Sequence, residues 1–318
     1  MVINMIVRLG YVSISKALEY TTSHTITYSN YIKEENGVEK LDKIIKLNLE
    51  SLIEILNYNV KNNYHFYRLT SKLIPLATHN DVNFEYIDKY KTYYNKIGKI
   101  INDNNLRVDT HPDQFCVLNS VNKETIDNSF KILEYHYNIL NALKIKDKVI
   151  ILHVGSSVFG KEKSVLRFKN NFNKLPKYIR ECIVLENDDK IYNVSDVLNL
   201  CIDLDIPMVL DFHHDMCNKS AKDVEYYLED IIKTWKGRVP KFHFSTPKNN
   251  TKKDFRSHND YINVDNFIEV LDKLKKYTSK ADIMLEAKAK DDALSRLVRC
   301  LKYKTNYKFI DESSFIID

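Results

Sequence analysis

Short apolar runs rich in β-branched residues alternate along this chain with longer stretches whose apolar positions recur every three or four residues. The short runs predict strands over residues 5–11, 64–69, 106–110, 149–154, 182–186, 208–212, 241–245 and 282–287. The longer stretches predict helices over about 41–60, 85–102, 123–144, 163–178, 195–204, 220–235, 264–277 and 289–302. In the first of these, Leu41, Ile44, Ile45, Leu47, Leu52, Ile55 and Leu56 recur at mostly three- and four-residue spacings, the mark of a helix packed on a core. Eight strands separated by helices imply a parallel sheet, and eight such units in 318 residues close most naturally into a barrel. An open, doubly wound sheet would carry a glycine-rich phosphate turn after its first strand, and none is present. The expected architecture is a single (β/α)8 TIM barrel spanning residues 1–318.

Composition narrows this picture. With six glycines and six prolines, no flexible linker divides the chain. Hydrophobic residues at 44% and charged residues at 29% fit a large core and exclude disorder. The net charge of +5 is compatible with a polyanionic partner. Five cysteines, an odd number without a CxxC pair, fit a reducing cytoplasmic setting. The N-terminal apolar run is too short for a signal peptide or a membrane span, so no membrane partner is expected.

A barrel of this type carries its active site at the C-terminal ends of its strands. Seven of the eight predicted strands deliver a histidine or a carboxylate at or just past that end. They are His79, His111, His153, Glu186, Asp211 with His213 and His214, His243 with His258 beyond it, and Glu286. Burying so many such groups without partners would cost several kcal/mol each, and bound cations relieve that cost. Imidazole and carboxylate without thiolate suit Mn²⁺, Zn²⁺, Mg²⁺ or Fe²⁺. Counting one of the adjacent His213 and His214, six histidines and three carboxylates exceed the needs of one ion, so two or three are implied. Paired ions are the usual device for phosphoester hydrolysis. Strand alternation puts Asp211 and His213 on one face, and His214 can replace His213 only if the chain turns there. Lys241 precedes His243 by two residues, so both point inward.

In order and spacing, a set of short motifs resembles the UV damage endonucleases, metal-dependent DNA-repair nucleases on a TIM barrel of the endonuclease IV type. They are Arg-Leu-Gly-Tyr-Val-Ser at 8–13, Tyr-Arg-Leu-Thr-Ser at 67–71, Ile-Pro-Leu-Ala-Thr-His at 74–79, His-Pro-Asp-Gln-Phe at 111–115 and His-Val-Gly-Ser at 153–156. Leu-Glu-Asn-Asp-Asp-Lys at 185–190, Asp-Phe-His-His at 211–214, Pro-Lys-Phe-His-Phe-Ser at 240–245, Arg-Ser-His-Asn-Asp-Tyr at 256–261 and Glu-Ala-Lys-Ala-Lys at 286–290 complete the set. The resemblance runs over nearly the whole chain. It implies nicking of duplex DNA immediately 5′ of cyclobutane dimers and 6-4 photoproducts, leaving a 3′-hydroxyl and a 5′-phosphate. It also implies a cluster of divalent ions, commonly manganese, on His79, His111, His153, Glu186, Asp211, His214, His243, His258 and Glu286. It thereby selects His214 over His213. Glu186, Glu286 and Lys241 are the expected catalytic groups, with Lys241 neutral or converted to a carbamate. The resemblance makes Gln114 and Phe115 a probe of the duplex and places Tyr11 in the wall of a lesion pocket. Phe115 stands where relatives often carry Tyr, and Ser15 where some carry Asn.

Lys248, Lys252, Lys253 and Arg256, in the loop after the seventh strand, are expected to grip DNA phosphates. Lys161, Lys163 and Arg167 follow the fourth strand. The expected partner is damaged double-stranded DNA, bound by a monomer. The rival readings are an abasic-site endonuclease, a metal-dependent sugar isomerase on the same barrel, and a DNA-binding protein without catalysis.

Overall fold

The computed structural model describes residues 4–33, 35–252 and 254–318. Eight parallel strands close into a barrel: β1 (Met5–Val12), β2 (Phe66–Leu69), β3 (Arg107–Thr110), β4 (Ile150–His153), β5 (Ile183–Glu186), β6 (Met208–Asp211), β7 (Lys241–Phe244) and β8 (Lys280–Leu285). Each pairs with the next, and β1 joins both β8 and β2, so the (β/α)8 barrel is complete. The predicted helices are present with altered limits; the stretch at 85–102, for example, divides into Tyr86–Lys89 and Lys91–Asp103. Among the described residues, no helix is long and apolar enough to cross a membrane.

Two more strands, β9 (Lys308–Phe309) and β10 (Ser314–Ile317), form an antiparallel hairpin that the strand count did not include. β10 pairs with the first half of β1, Met5 to Arg8, whereas β2 pairs with its second half, Gly10 to Val12. The hairpin therefore fills the wall where β2 has not yet begun.

Strand alternation fixes what the barrel encloses. On β1, Met5, Val7, Leu9 and Tyr11 face the helical layer, while Arg8 and Gly10 face inward. Gly10 is required because an added Cβ would lie 2.5 Å from the Phe66 carbonyl oxygen and 2.8 Å from its ring. At the N-terminal pole, Arg8 and Arg107 both bind Asp282, at 2.7 Å each. Above this, Val149, Ile151, Val184, Val209 and Trp235 form a closed apolar cluster, fully buried. The indole N–H donates to the Met208 carbonyl at 2.7 Å. This packed floor seals the lower half of the barrel and leaves the polar inward positions to the C-terminal mouth.

Candidate metal centre

Register brings the polar side chains together. His153 lies level with Glu186, Asp211 with His243, and Arg68 with Asp109. Glu186 is buried at the centre. One carboxylate oxygen accepts from His243 Nδ1 at 2.8 Å, and the other faces His111 Nε2 at 3.1 Å and His153 Nε2 at 3.7 Å. Three sets of side chains are spaced to hold an ion: His111, His153 and Glu186; Glu186, Asp211 and His214; and Glu186, His243 and Glu286. Glu186 belongs to all three, as a bridging carboxylate would.

The fit to divalent ions rests on atoms that the protein leaves unsatisfied. Asp211 Oδ2 and His153 Nδ1 are buried and have no hydrogen-bond partner. A buried polar atom without a partner is costly, and a bound cation would satisfy Asp211 Oδ2 directly. The histidines are oriented from behind. His111, His214 and His258 each direct Nδ1 to a backbone carbonyl, of Pro112, Asn187 and Glu286 respectively, at 2.9, 2.9 and 2.6 Å. Such a bond fixes the tautomer and leaves Nε2 free as a ligand.

The turn that selects His214 is visible. The chain enters a helix, Phe212–Cys217, directly after Asp211, whose side chain caps it by accepting from the His214 amide at 2.8 Å. Strand alternation ends there. His213 is carried away from the mouth and is fully committed, bonding Ser245 Oγ and the Phe255 carbonyl at 2.7 Å each. Asn187, not singled out in the sequence, clamps this turn by exchanging two 2.9 Å bonds with the Asp211 backbone.

A buried ionic chain, also missed in the sequence, lies beneath the ligands. Asp109 accepts from Lys241 Nζ at 3.1 Å and from Arg68 Nε at 3.2 Å. The Arg68 guanidinium continues to Glu286 and to His243 Nε2, both at 2.5 Å. Lys241 also sits over the Phe66 ring, 4.7 Å from its centre. Its ammonium thus faces Asp109 rather than the ligand groups. Burial pushes Lys241 down to about 8, against the pull of Asp109. Burial would raise the carboxyls of Glu186 and Glu286, but His243 and His153 around the first, and Arg68 and His243 around the second, hold both well below the usual range. The useful signal in the sequence was the parity of charged residues inside strands: Arg68, Asp109 and Lys241 all fall on inward positions.

His214 gives a test of loading. Burial opposes its charge, but Asp211 and Glu186 outweigh burial and push it up to about 11. In ion-free protein its protonated form contributes stability that is complete below the ordinary value of 6.5 and is lost as pH rises through about 11. An ion on His214 must displace that proton. Mn²⁺ titrations near pH 7.5, in buffers of different ionisation enthalpy, should therefore show net proton release; a buffer-independent heat would refute it.

Other expected site residues fall differently. His79 is half-buried, stacks on Tyr28 with ring centres 4.0 Å apart, and accepts from the Asp81 amide, outside the three ligand sets. His258 is near the mouth but also outside those sets. The expectation for Tyr11 is corrected: it is fully buried and donates to Asn59 Oδ1 at 2.5 Å, because its position is an outward one. Ser15 is likewise buried and donates to Asp291 at 2.6 Å, anchoring its loop. Gln114 and Phe115 are exposed above a cavity of about 800 Å³ that they share with His79 and His136. In the basic loop, Arg256 binds Asp189 at 2.7 Å and Lys248 binds Asp254 at 3.5 Å. Lys252 is exposed, and Lys253 lies outside the described residues.

A TIM barrel whose mouth gathers histidines and carboxylates around one shared glutamate, spaced so that they could hold metal ions, is the class that fold and site define. Solved barrels that share only the fold include endonuclease IV from Thermus thermophilus (TM-score 0.56, 12% identity, 93% of this chain and 98% of that one) and an L-ribulose 3-epimerase (0.54, 15%, 79% and 81%). The fold therefore does not choose between nuclease and sugar enzyme. The family model described as UV-endonuclease UvdE matches residues 7–314, and the chain belongs to that family. It is 39% identical over 316 residues to a UV DNA damage endonuclease of Bacillus cereus (strain 03BB102), covering 98% of this chain and 99% of the relative. It is 40% identical over 300 residues to one from Bacillus mycoides (strain KBAB4), covering 92% and 94%. A crystal structure described as SacUVDE superposes with a TM-score of 0.84 at 34% identity, covering 93% of this chain and 98% of that one.

Proposed function

We propose that this protein is a DNA-repair endonuclease that nicks duplex DNA immediately 5′ of ultraviolet photoproducts, leaving a 3′-hydroxyl and a 5′-phosphate. Two or three divalent ions, Mn²⁺ first among them, serve the reaction. The observation that carries this reading is the sharing of Glu186 among three adjoining ligand sets at the barrel mouth, in a chain of the UV-endonuclease family. Divalent ions supply Lewis acidity, neutralising a phosphodiester and making water easier to deprotonate.

Around Glu186, His111 and His153 would supply one ion, Asp211 and His214 another, and His243 with Glu286 a third. Nδ1 bonds to backbone carbonyls keep His111 and His214 from rotating when the ions arrive. The sealed apolar floor confines water to the mouth. Lys241, paired with Asp109, acts by holding the floor of the site in place. A carbamate on that lysine would set a second buried negative charge beside Asp109, so the ion-free protein favours the ammonium.

Phe115, 67% exposed, presents an apolar face to a duplex. Its amide is pinned by Asp113 at 3.0 Å, so the ring has a fixed base from which to press into a weakened stack. Photodimers stack poorly and kink easily, which favours their displacement. Lys252 and Arg256 are the cations placed for DNA phosphates, Arg256 by exchanging Asp189 for phosphate.

The test is incubation with Mn²⁺ and three duplexes, carrying a cyclobutane dimer, an abasic site or no damage. A single nick 5′ of the dimer, abolished by chelator, is expected. Preferential cutting at the abasic site, or no nick in any duplex, would overturn the reading.

A further inference from the structure

Among the described residues only two phenylalanines are exposed, Phe115 at 67% and Phe159 at 73%. Both lie on loops of the C-terminal face, Phe115 after β3 and Phe159 after β4. The two loops are built as one frame. The buried Asn119 donates to the Ser156 carbonyl at 2.7 Å and accepts from the Ser156 amide at 2.9 Å. Arg167 donates to the Asn119 carbonyl at 2.9 Å and to the Val158 carbonyl at 2.6 Å, and Ser164 Oγ also reaches Val158 at 3.1 Å. Arg167 thus braces the loop. The tip closes with a 2.9 Å bond from the Gly160 amide to the Ser157 carbonyl.

On this frame Phe159 adopts φ +65°, a conformation unfavourable for a bulky side chain. Of the eight other described non-glycine residues with positive φ, five directly follow helices or their caps (Asn63, Asn105, Lys144, Asp205 and Lys236), while Ser13, Leu76 and Lys290 do not; among all nine, Phe159 is the one aromatic. At those five the left-handed turn ends a helix. Phe159 instead precedes a helix, Lys161–Phe172, and has no such capping role. A braced loop that holds a large apolar ring in water, in a backbone conformation suited to glycine, gains nothing for stability. Its setting matches a polyanion with aromatic bases: Lys163 is exposed in the next turn, and β4 itself carries His153. Glu162 shares that turn and limits phosphate attraction there, so the ring is the main contact.

We propose that Phe159 is a second stacking contact for the damaged duplex, acting beside Phe115 from the same rigid frame. This rests on the repair reading above. A base face can stack on an exposed aromatic ring without sequence preference, which suits an enzyme that must accept any flanking sequence.

Phe159→Gly removes the ring and relieves the backbone; Phe159→Trp keeps a stacking face. Steady-state nicking of a dimer-containing duplex with Mn²⁺ and thermal melting of each variant form the test. The expected result for Phe159→Gly is a KM raised about tenfold, the effect of one lost stack, with a melting temperature no lower than that of the parent protein. Phe159→Trp should stay within about threefold of the parent KM, given that stacking tolerates any aromatic face. A Phe159→Gly KM within about twofold of the parent, or a lowered melting temperature, would overturn the inference and leave the repair reading intact. Failure of the parent protein to nick the dimer duplex would instead overturn the repair reading.

Discussion

Glu186→Gln should lower nicking of a dimer-containing duplex by about 10³-fold, equivalent to about 4 kcal/mol of transition-state stabilisation. The size follows from topology. The three ligand sets meet in this one carboxylate, so neutralising it weakens every ion position together. The amide cannot present two anionic oxygens, one toward His243 and one toward His111 and His153. Bound Mn²⁺, measured by equilibrium dialysis, should fall by at least one ion. Glu286→Gln touches a single set and should cost at least tenfold less activity than Glu186→Gln. Activity of Glu186→Gln within tenfold of the parent at saturating Mn²⁺ would contradict the bridging role.

The second large effect concerns stability. Asp109→Asn removes the shared counter-ion of Arg68 and Lys241, all three buried. Burial would raise the Asp109 carboxyl, yet Lys241 and Arg68 hold it below the usual range, so it is ionised at neutral pH. Breaking a buried pair costs about 3–5 kcal/mol, a drop in melting temperature on the order of 10 °C. Lys241 is the more exposed to this loss, since Arg68 keeps Glu286. Combining Asp109→Leu with Lys241→Met should therefore recover at least half of the lost stability, because no unpaired ammonium remains. Scanning calorimetry with chelator present checks both. A cost below about 1 kcal/mol for Asp109→Asn would show that the chain is not an electrostatic unit.

The eight barrel strands were legible because most of each lies in a buried layer and therefore reads as a largely apolar run. The candidate strand-end ligands stood out for the same reason: polar residues in otherwise apolar strands require partners. The limits lie where strand geometry stops. His79 and His258 sit on loops, and no periodicity fixes where a loop side chain arrives. His214 depends on a helix that begins at Phe212, one residue past the strand. Tyr11 shares its outward parity with Met5, Val7 and Leu9, but its expected place rested on the resemblance and not on parity. The basic loop showed its cations and concealed the pairing of Arg256, because Asp189 belongs to a distant segment. The final hairpin was missed because eight units already completed the barrel.

That hairpin bears on how the molecule is made. Met5 sits opposite Ile317, so the earliest strand finds part of its pairing only in the latest one. A chain growing from its N-terminus can assemble successive βα units, but the first half of β1 must wait with an open edge until Ser314–Ile317 has been made. Completion of the wall is then a late, long-range event in folding, and the apolar outward residues of β1 are the surface most in need of protection during translation.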